Sequence, residues 1–130
     1  MILFHLDPRS GVPTYLQLVQ QVRQAVQLGI LRPGDQLPTV KDVVGALAIN
    51  PNTVLKAYRE LDHEGLVVAR RGVGTFVVDE LPSRPPDDLR GLRTSLQRWV
   101  ERARAAGLDD ENIAALLADT THGHRESRVA

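Results

Sequence analysis

NPNTVLKAYRELDHEGLVVARRGVGTFV, residues 50–77, is the stretch whose reading decides the fold. Asn50 is a favoured N-cap, and Pro51 takes the first helical position, where its missing N–H costs nothing. Val54, Ala57, Tyr58 and Leu61 then recur at three- and four-residue steps, and Gly65 ends the helix. LVVAR and TFVV follow as two short runs rich in β-branched residues around RGVG, the pattern of a β-hairpin. The front of this helix is polar. Asn52, Thr53 and Lys56 serve no packing purpose, which implies a first turn pushed against a polar partner.

Working upstream, YLQLVQQVRQAVQLG carries Tyr15, Leu18, Val19, Val22, Val26 and Ile30 at helical spacing, and Gly29 sits where that helix stops. PGD at 33–35 reads as a turn. LPT places Thr39 as an N-cap with Asp42 three residues on, close to a capping box. A short helix follows with Val40, Val43, Val44 and Leu47 on its inner face. ILFHL near the amino terminus reads as a strand or a packing arm. Downstream, ELPSRPPDD is a Pro-rich linker without periodicity. Leu89, Leu92, Leu96, Trp99, Val100 and Ala103 then form a second helix stripe that ends at Gly107. Asp109 caps a last short helix with Ile113, Leu116 and Leu117 on one face.

The order helix, helix–short turn–helix, hairpin is a helix-turn-helix with a β-wing. Such a motif lays its last helix in the DNA major groove with its amino-terminal residues on base edges. The fold class expected is α+β, mostly α: a winged helix-turn-helix over 1–78, a linker over 79–86, a helical hairpin over 87–120 and a disordered tail over 121–130.

Composition fits an ordinary globular chain of 130 residues, 42% hydrophobic and 25% charged. Without cysteine there is neither a disulfide framework nor a thiolate metal site. No apolar run is long enough to span a bilayer, and no secretory signal opens the chain, so an intracellular, cytoplasmic protein is expected. The net charge of zero hides a mild asymmetry. Residues 1–78 hold eight Lys/Arg against six Asp/Glu, a balance of +2, and residues 79–130 hold eight against ten, a balance of −2.

Residues 12–78 closely resemble the amino-terminal domain of the GntR superfamily of bacterial transcription regulators. GILRPGDQLPT, the NPNTV opening, AYRELDHEGL and RGVGTFV all fall in register. The short helical remainder resembles the YtrA subfamily, whose appendage serves dimerisation. The resemblance implies a DNA-binding regulator, a repressor in sign, that binds an inverted-repeat operator in double-stranded DNA as a homodimer. It implies that Lys41 stands where the family commonly has an arginine on the DNA backbone; lysine keeps the charge but loses the bidentate fork. Asn50, Asn52, Thr53 and Lys56 match the recognition-helix front. Tyr58 matches a mostly buried tyrosine with its hydroxyl near a phosphate. Arg70, Arg71, Gly72 and Gly74 match the wing tip, which in this family approaches the minor groove. Pro51 departs from the pattern, since other members often place an arginine there.

Each functional reading has a plainer competitor. Asn50 and Pro51 are first of all a helix cap, whereas Asn52, Thr53 and Lys56 are assigned to DNA. Arg70 and Arg71 are assigned to DNA because glycine neighbours permit close backbone approach; strand alternation turns Arg70 in a different direction from Arg71. Trp99 reads as core or dimer interface rather than a stacking platform. His122 and His124 lack accompanying ligands, so no metal site and no cofactor are expected. No nucleophile stands at a catalytic spacing, and RGVG sits in a hairpin rather than between strand and helix, so the chain is not read as an enzyme. A winged helix used for protein–protein assembly is the alternative; it calls for an apolar or acidic recognition helix. No dedicated small-molecule effector is expected, because two short helices cannot enclose a drug-sized cavity.

Overall fold

The computed structural model describes residues 2–129, with side chains as far as Gly123. Two compact units divide at Pro86, the first holding residues 1–86 and the second 87–130.

In the first unit, α1 (Thr14–Gln27), α2 (Val40–Leu47) and α3 (Pro51–His63) precede a hairpin of β1 (Val67–Arg70) and β2 (Gly74–Val77). Several of these helix ends are set by local side-chain or backbone caps. Thr39 Oγ1 accepts from the Asp42 N–H at 3.1 Å, and Asn50 Oδ1 accepts from the Asn52 N–H at 2.8 Å. Both contacts satisfy donors that a helix start leaves unpaired. At the end of α1, Gly29 turns the chain at φ +68°, and the Ile30 N–H returns to the Ala25 carbonyl at 2.8 Å. That turn carries Ile30 outward to solvent, although its spacing extends the α1 stripe; Leu31 fills the core instead.

Leu18, Val19, Val22, Leu31, Leu37, Val54, Leu61, Val67 and Val77 form the fully buried centre, contributed by α1, α3, the hairpin and the segments between them. Arg23 and Glu64 tie α1 to the end of α3 with a 2.6 Å ion pair. The amino-terminal run is a packing arm. Ile2 is buried, and Phe4 and Leu6 pack beside it against the core. Two glutamines of α1 stand in for a partner strand. Gln21 donates to the His5 carbonyl at 2.6 Å and accepts from its N–H at 2.9 Å, while Gln17 does the same for Asp7 at 3.1 and 2.9 Å.

The hairpin pairs Val67 with Val77, Val68 with Phe76, Ala69 with Thr75 and Arg70 with Gly74. It also has a third partner that the sequence pattern does not announce. The Gly34 N–H donates to Val77, the Val77 N–H to Asp35 and the Leu37 N–H to Thr75, at 3.0, 2.8 and 2.8 Å. The segment leading into α2 therefore closes the free edge of β2 and fastens the wing's root to the helix-turn-helix.

The turn between α2 and α3 holds a strained residue. Ala48 sits in the left-handed region at φ 53°, ψ 45°, where its Cβ crowds the backbone. Ala48→Gly is expected to stabilise the protein by about 1 kcal/mol, the relief of strain being partly offset by glycine's greater unfolded-state freedom. Denaturant midpoints of the two proteins check this, and an unchanged or lower midpoint refutes it.

The first unit extends past the hairpin. The Val78 N–H bonds the Leu66 carbonyl at 3.1 Å, and Leu81 packs half-buried on the core. Residues 79–86 therefore do not start as a free linker at 79, because Leu81 supplies an apolar anchor within the Pro-rich run. The second unit consists of α4 (Leu89–Ala105) and α5 (Asp110–Val129). Gly107 turns the chain at φ +99°, and Asp109 Oδ1 caps α5 by accepting from the Asn112 N–H at 2.7 Å. The helical backbone runs through residues 121–129, which the sequence reading gives as a disordered tail. No proline interrupts it, and the Thr120 and Thr121 hydroxyls bond back to the Leu116 and Leu117 carbonyls. Ala130 lies outside the described residues. No described helix is long and apolar enough to cross a membrane.

Candidate nucleic-acid interface

The cap that starts α3 also fixes what its front presents. Asn50 uses its side-chain oxygen to hold the Asn52 N–H, and the Thr53 N–H donates to the Asn50 carbonyl at 3.0 Å. Asn50 is thus a cap first, as its sequence position implies. Asn52 is exposed, and its own side chain is left for a ligand. Asn50, Asn52, Thr53 and Lys56 line one open groove together with Thr14 and Tyr15 from the start of α1. The Lys56 ammonium lies 4.0 Å from the centre of the Tyr15 ring, a cation–π contact that restrains an otherwise floppy side chain.

Thr14 and Tyr15 escape the sequence reading. Tyr15 begins an apolar stripe, and nothing local links it to a lysine some forty positions later. Leu55 and Arg59 escape it too. Both are exposed, and helical spacing puts them on the face of Asn52 and Lys56. That face can offer amide groups to base edges, a leucine to a thymine methyl and two cations to phosphates. From Pro51 to Arg59 it carries no carboxylate. The acidic or mainly apolar face that an assembly helix calls for is not what α3 presents. Lys41 is exposed in the first turn of α2.

Tyr58 requires a correction. It is 7% exposed, and its hydroxyl donates to the Pro38 carbonyl at 2.6 Å. The hydroxyl therefore ties α3 to the entry of α2 and is not directed at a phosphate, because helical spacing turns Tyr58 to the same inner face as Val54 and Leu61. Burial, and to a lesser degree the Asp42 carboxylate, push this phenol well above its ordinary value of 10.0. The folded state thus holds the proton more tightly than the unfolded chain. The resulting stability is complete below pH 10 and declines above it, by about 1.4 kcal/mol per pH unit. Tyr58→Phe is expected to remove that alkaline decline and to cost about 1–2 kcal/mol at neutral pH, since the Pro38 carbonyl loses its donor. DNA affinity of the folded variant should stay as in the parent. Urea melts at neutral and alkaline pH with one binding titration test all three, and a large affinity loss would return Tyr58 to the interface.

At the wing tip the two arginines part company. The Arg70 guanidinium lies 4.7 Å from the centre of the Phe76 ring, folded back along the hairpin, while Arg71 is exposed in the turn and makes no ion pair among the described residues. Gly72 holds φ +77° and Gly74 φ +143°, and a Cβ on Gly74 would stand 2.5 Å from Gln36 Nε2. Position 72 favours glycine for its backbone alone, and position 74 does so for both backbone and space.

The second unit has a different surface. Ala103 and Ile113 are buried, and Leu89, Trp99 and Val100 are half-buried. Leu92 is 60% exposed and Leu96 48%, and Leu116 and Leu117 are exposed on α5. The described residues hold no group of three or more potential metal ligands. His122 stands alone among them, and the His124 side chain lies outside the described residues.

Comparison with known proteins joins these features. Residues 14–77 match the model for bacterial regulatory proteins of the gntR family. The HTH-type transcriptional repressor YtrA of Bacillus subtilis is 34% identical over 112 residues, 85% of this chain and 86% of that protein. The structure of YtrA from Sulfolobus acidocaldarius, a GntR-family transcription factor, superposes with a TM-score of 0.54 at 27% identity, covering 92% of this chain and 97% of that one. The DNA-binding domain of AraR, solved in complex with operator ORX1, matches 58% of this chain and 93% of its own at 26% identity and a TM-score of 0.51.

Proposed function

The chain belongs to the GntR family of bacterial regulatory proteins, transcription regulators rather than enzymes, and we propose that it acts as a homodimeric repressor on an inverted-repeat operator. The observation that carries the reading is the open face of α3, where Asn52, Thr53 and Lys56 line a groove and none of them belongs to the core. In this reading α3 enters the major groove, with Asn52 on a base edge and Lys56 at a phosphate. Lys41 and Arg71 meet the sugar-phosphate ridges on either side, and Gly72 and Gly74 let the wing's backbone come close.

Dimerisation is assigned to the second unit. Leu92, Leu96, Leu116 and Leu117 form apolar surface that two helices cannot cover alone, and Trp99 and Val100 add to it. A second copy supplies the same face, as an isologous interface demands. The name of the Bacillus relative supports repression as the sign of control. No dedicated effector pocket is assigned, since a two-helix unit offers too little interior for one.

Selection of duplexes from a random pool with the full chain tests the reading. It should recover two copies of one half-site in inverted order, bound by two chains and separated by about one helical turn or a multiple of it. A single asymmetric site bound by one chain would defeat the dimeric part. Failure to enrich any sequence would favour the assembly alternative.

A further inference from the structure

Val73 is the wing's most conspicuous side chain, and packing does not account for it. It is 64% exposed at the apex of the hairpin, an unusual place for a branched apolar residue. The backbone there is held from both sides. The Val73 N–H donates to the Arg70 carbonyl at 2.9 Å, and the Val73 carbonyl accepts from Gln36 Nε2 at 3.3 Å. Glycines with positive φ flank it, and the adjacent Arg70 is folded onto Phe76. The tip thus offers one cation, Arg71, and one stiff apolar group on a fixed stem.

We propose that Val73 is a specificity-determining residue, seated in the minor groove beside each half-site, where it accepts A·T pairs and resists G·C. The inference rests on the DNA-binding reading above, because an element flanking a helix in the major groove faces a phosphate ridge and then the minor groove. On the floor of that groove, G·C differs from A·T by the guanine 2-amino group. A long polar side chain could bend around that amino group or bond to it. An isopropyl group has a restricted χ1 and no polar atom, so it meets the amino group as a steric and desolvating obstacle. Against A·T it gains contact with sugar and base edges, as apolar residues do in other minor-groove proteins.

The experiment uses the full chain and an operator recovered by selection. Base pairs flanking each half-site are set to A·T, G·C or inosine·C, the last removing only the 2-amino group. The parent is expected to bind A·T and inosine·C flanks alike and G·C flanks about fivefold more weakly. Val73→Ala should bind all three alike, and its exposed position keeps the fold intact. Arg71→Ala should bind all three more weakly and keep the preference. Equal binding of the three flanks by the parent overturns the proposal, as does a G·C penalty that survives in Val73→Ala or vanishes in Arg71→Ala. If selection recovers no operator, the DNA-binding reading itself fails, a result distinct from any of these.

Discussion

Deleting residues 87–130 is expected to leave a folded monomer whose operator affinity is lower by about a hundred- to ten-thousand-fold, the range over which linking two modules raises avidity. The shortened chain should fold because every member of the main core cluster, with Leu81 at its margin, belongs to residues 1–86. It should be monomeric because the exposed leucines of α4 and α5 leave with the deleted segment. The loss is large because, in a dimer, the second recognition helix meets its half-site as a tethered group at high effective concentration. A single change in the full chain, Leu96→Glu, should reproduce much of the effect by placing a charge on the apolar face. Sedimentation and binding titrations on operator and isolated half-site duplexes decide the matter. A shortened chain that still sediments as a dimer would move the interface to the winged unit.

Asn52→Ala and Arg71→Ala should separate the two kinds of DNA contact. An asparagine pairing with adenine through both its amide oxygen and its amide nitrogen discriminates by about 1–3 kcal/mol, so Asn52→Ala should lose that much on operator and little on scrambled DNA, with a nearly unchanged salt slope. Its cost to the fold should be small, since Asn50 supplies the cap and Asn52 contributes only its backbone N–H. Arg71→Ala should weaken operator and scrambled duplexes together and reduce the salt slope by about one counterion per half-site. Salt titrations on both duplexes are the measurement. Equal losses for Asn52→Ala on both, or an Arg71→Ala effect confined to operator, would reverse the roles assigned.

What the sequence makes legible here is local. The Thr39 and Asn50 caps, the glycine stops at 29, 65 and 107, and the hairpin around RGVG each depend on residues within a few positions of one another. Periodicity alone places Leu18, Val22, Val54 and Leu61 inside. The reading falters where a partner is distant in the chain. Gly34–Leu37 looks like a plain turn until Thr75 and Val77 lie beside it, and Tyr15 looks like core until Lys56 reaches its ring. Tyr58 is a case of a correct face with a misassigned tip: its helical spacing gives burial, but only the fold supplies Pro38 as the acceptor. The end of α5 is missed because its apolar stripe stops at Leu117 while the helical backbone continues.

The segment at 34–37 that bonds to β2 bears on how torsion in the DNA would be felt. Through it the wing's root is continuous with Pro38 and Thr39, and so with the start of α2. The angle between wing tip and α3 is therefore fixed when the domain folds. A duplex that is overwound or underwound shifts the phosphate ridge relative to the major groove, and a rigid pair of probes cannot follow it. Operator affinity is accordingly expected to depend on superhelical density, with an optimum at one twist and losses on both sides. A wing joined by a loose tether would ignore such changes; topoisomers of one operator plasmid would tell the two apart.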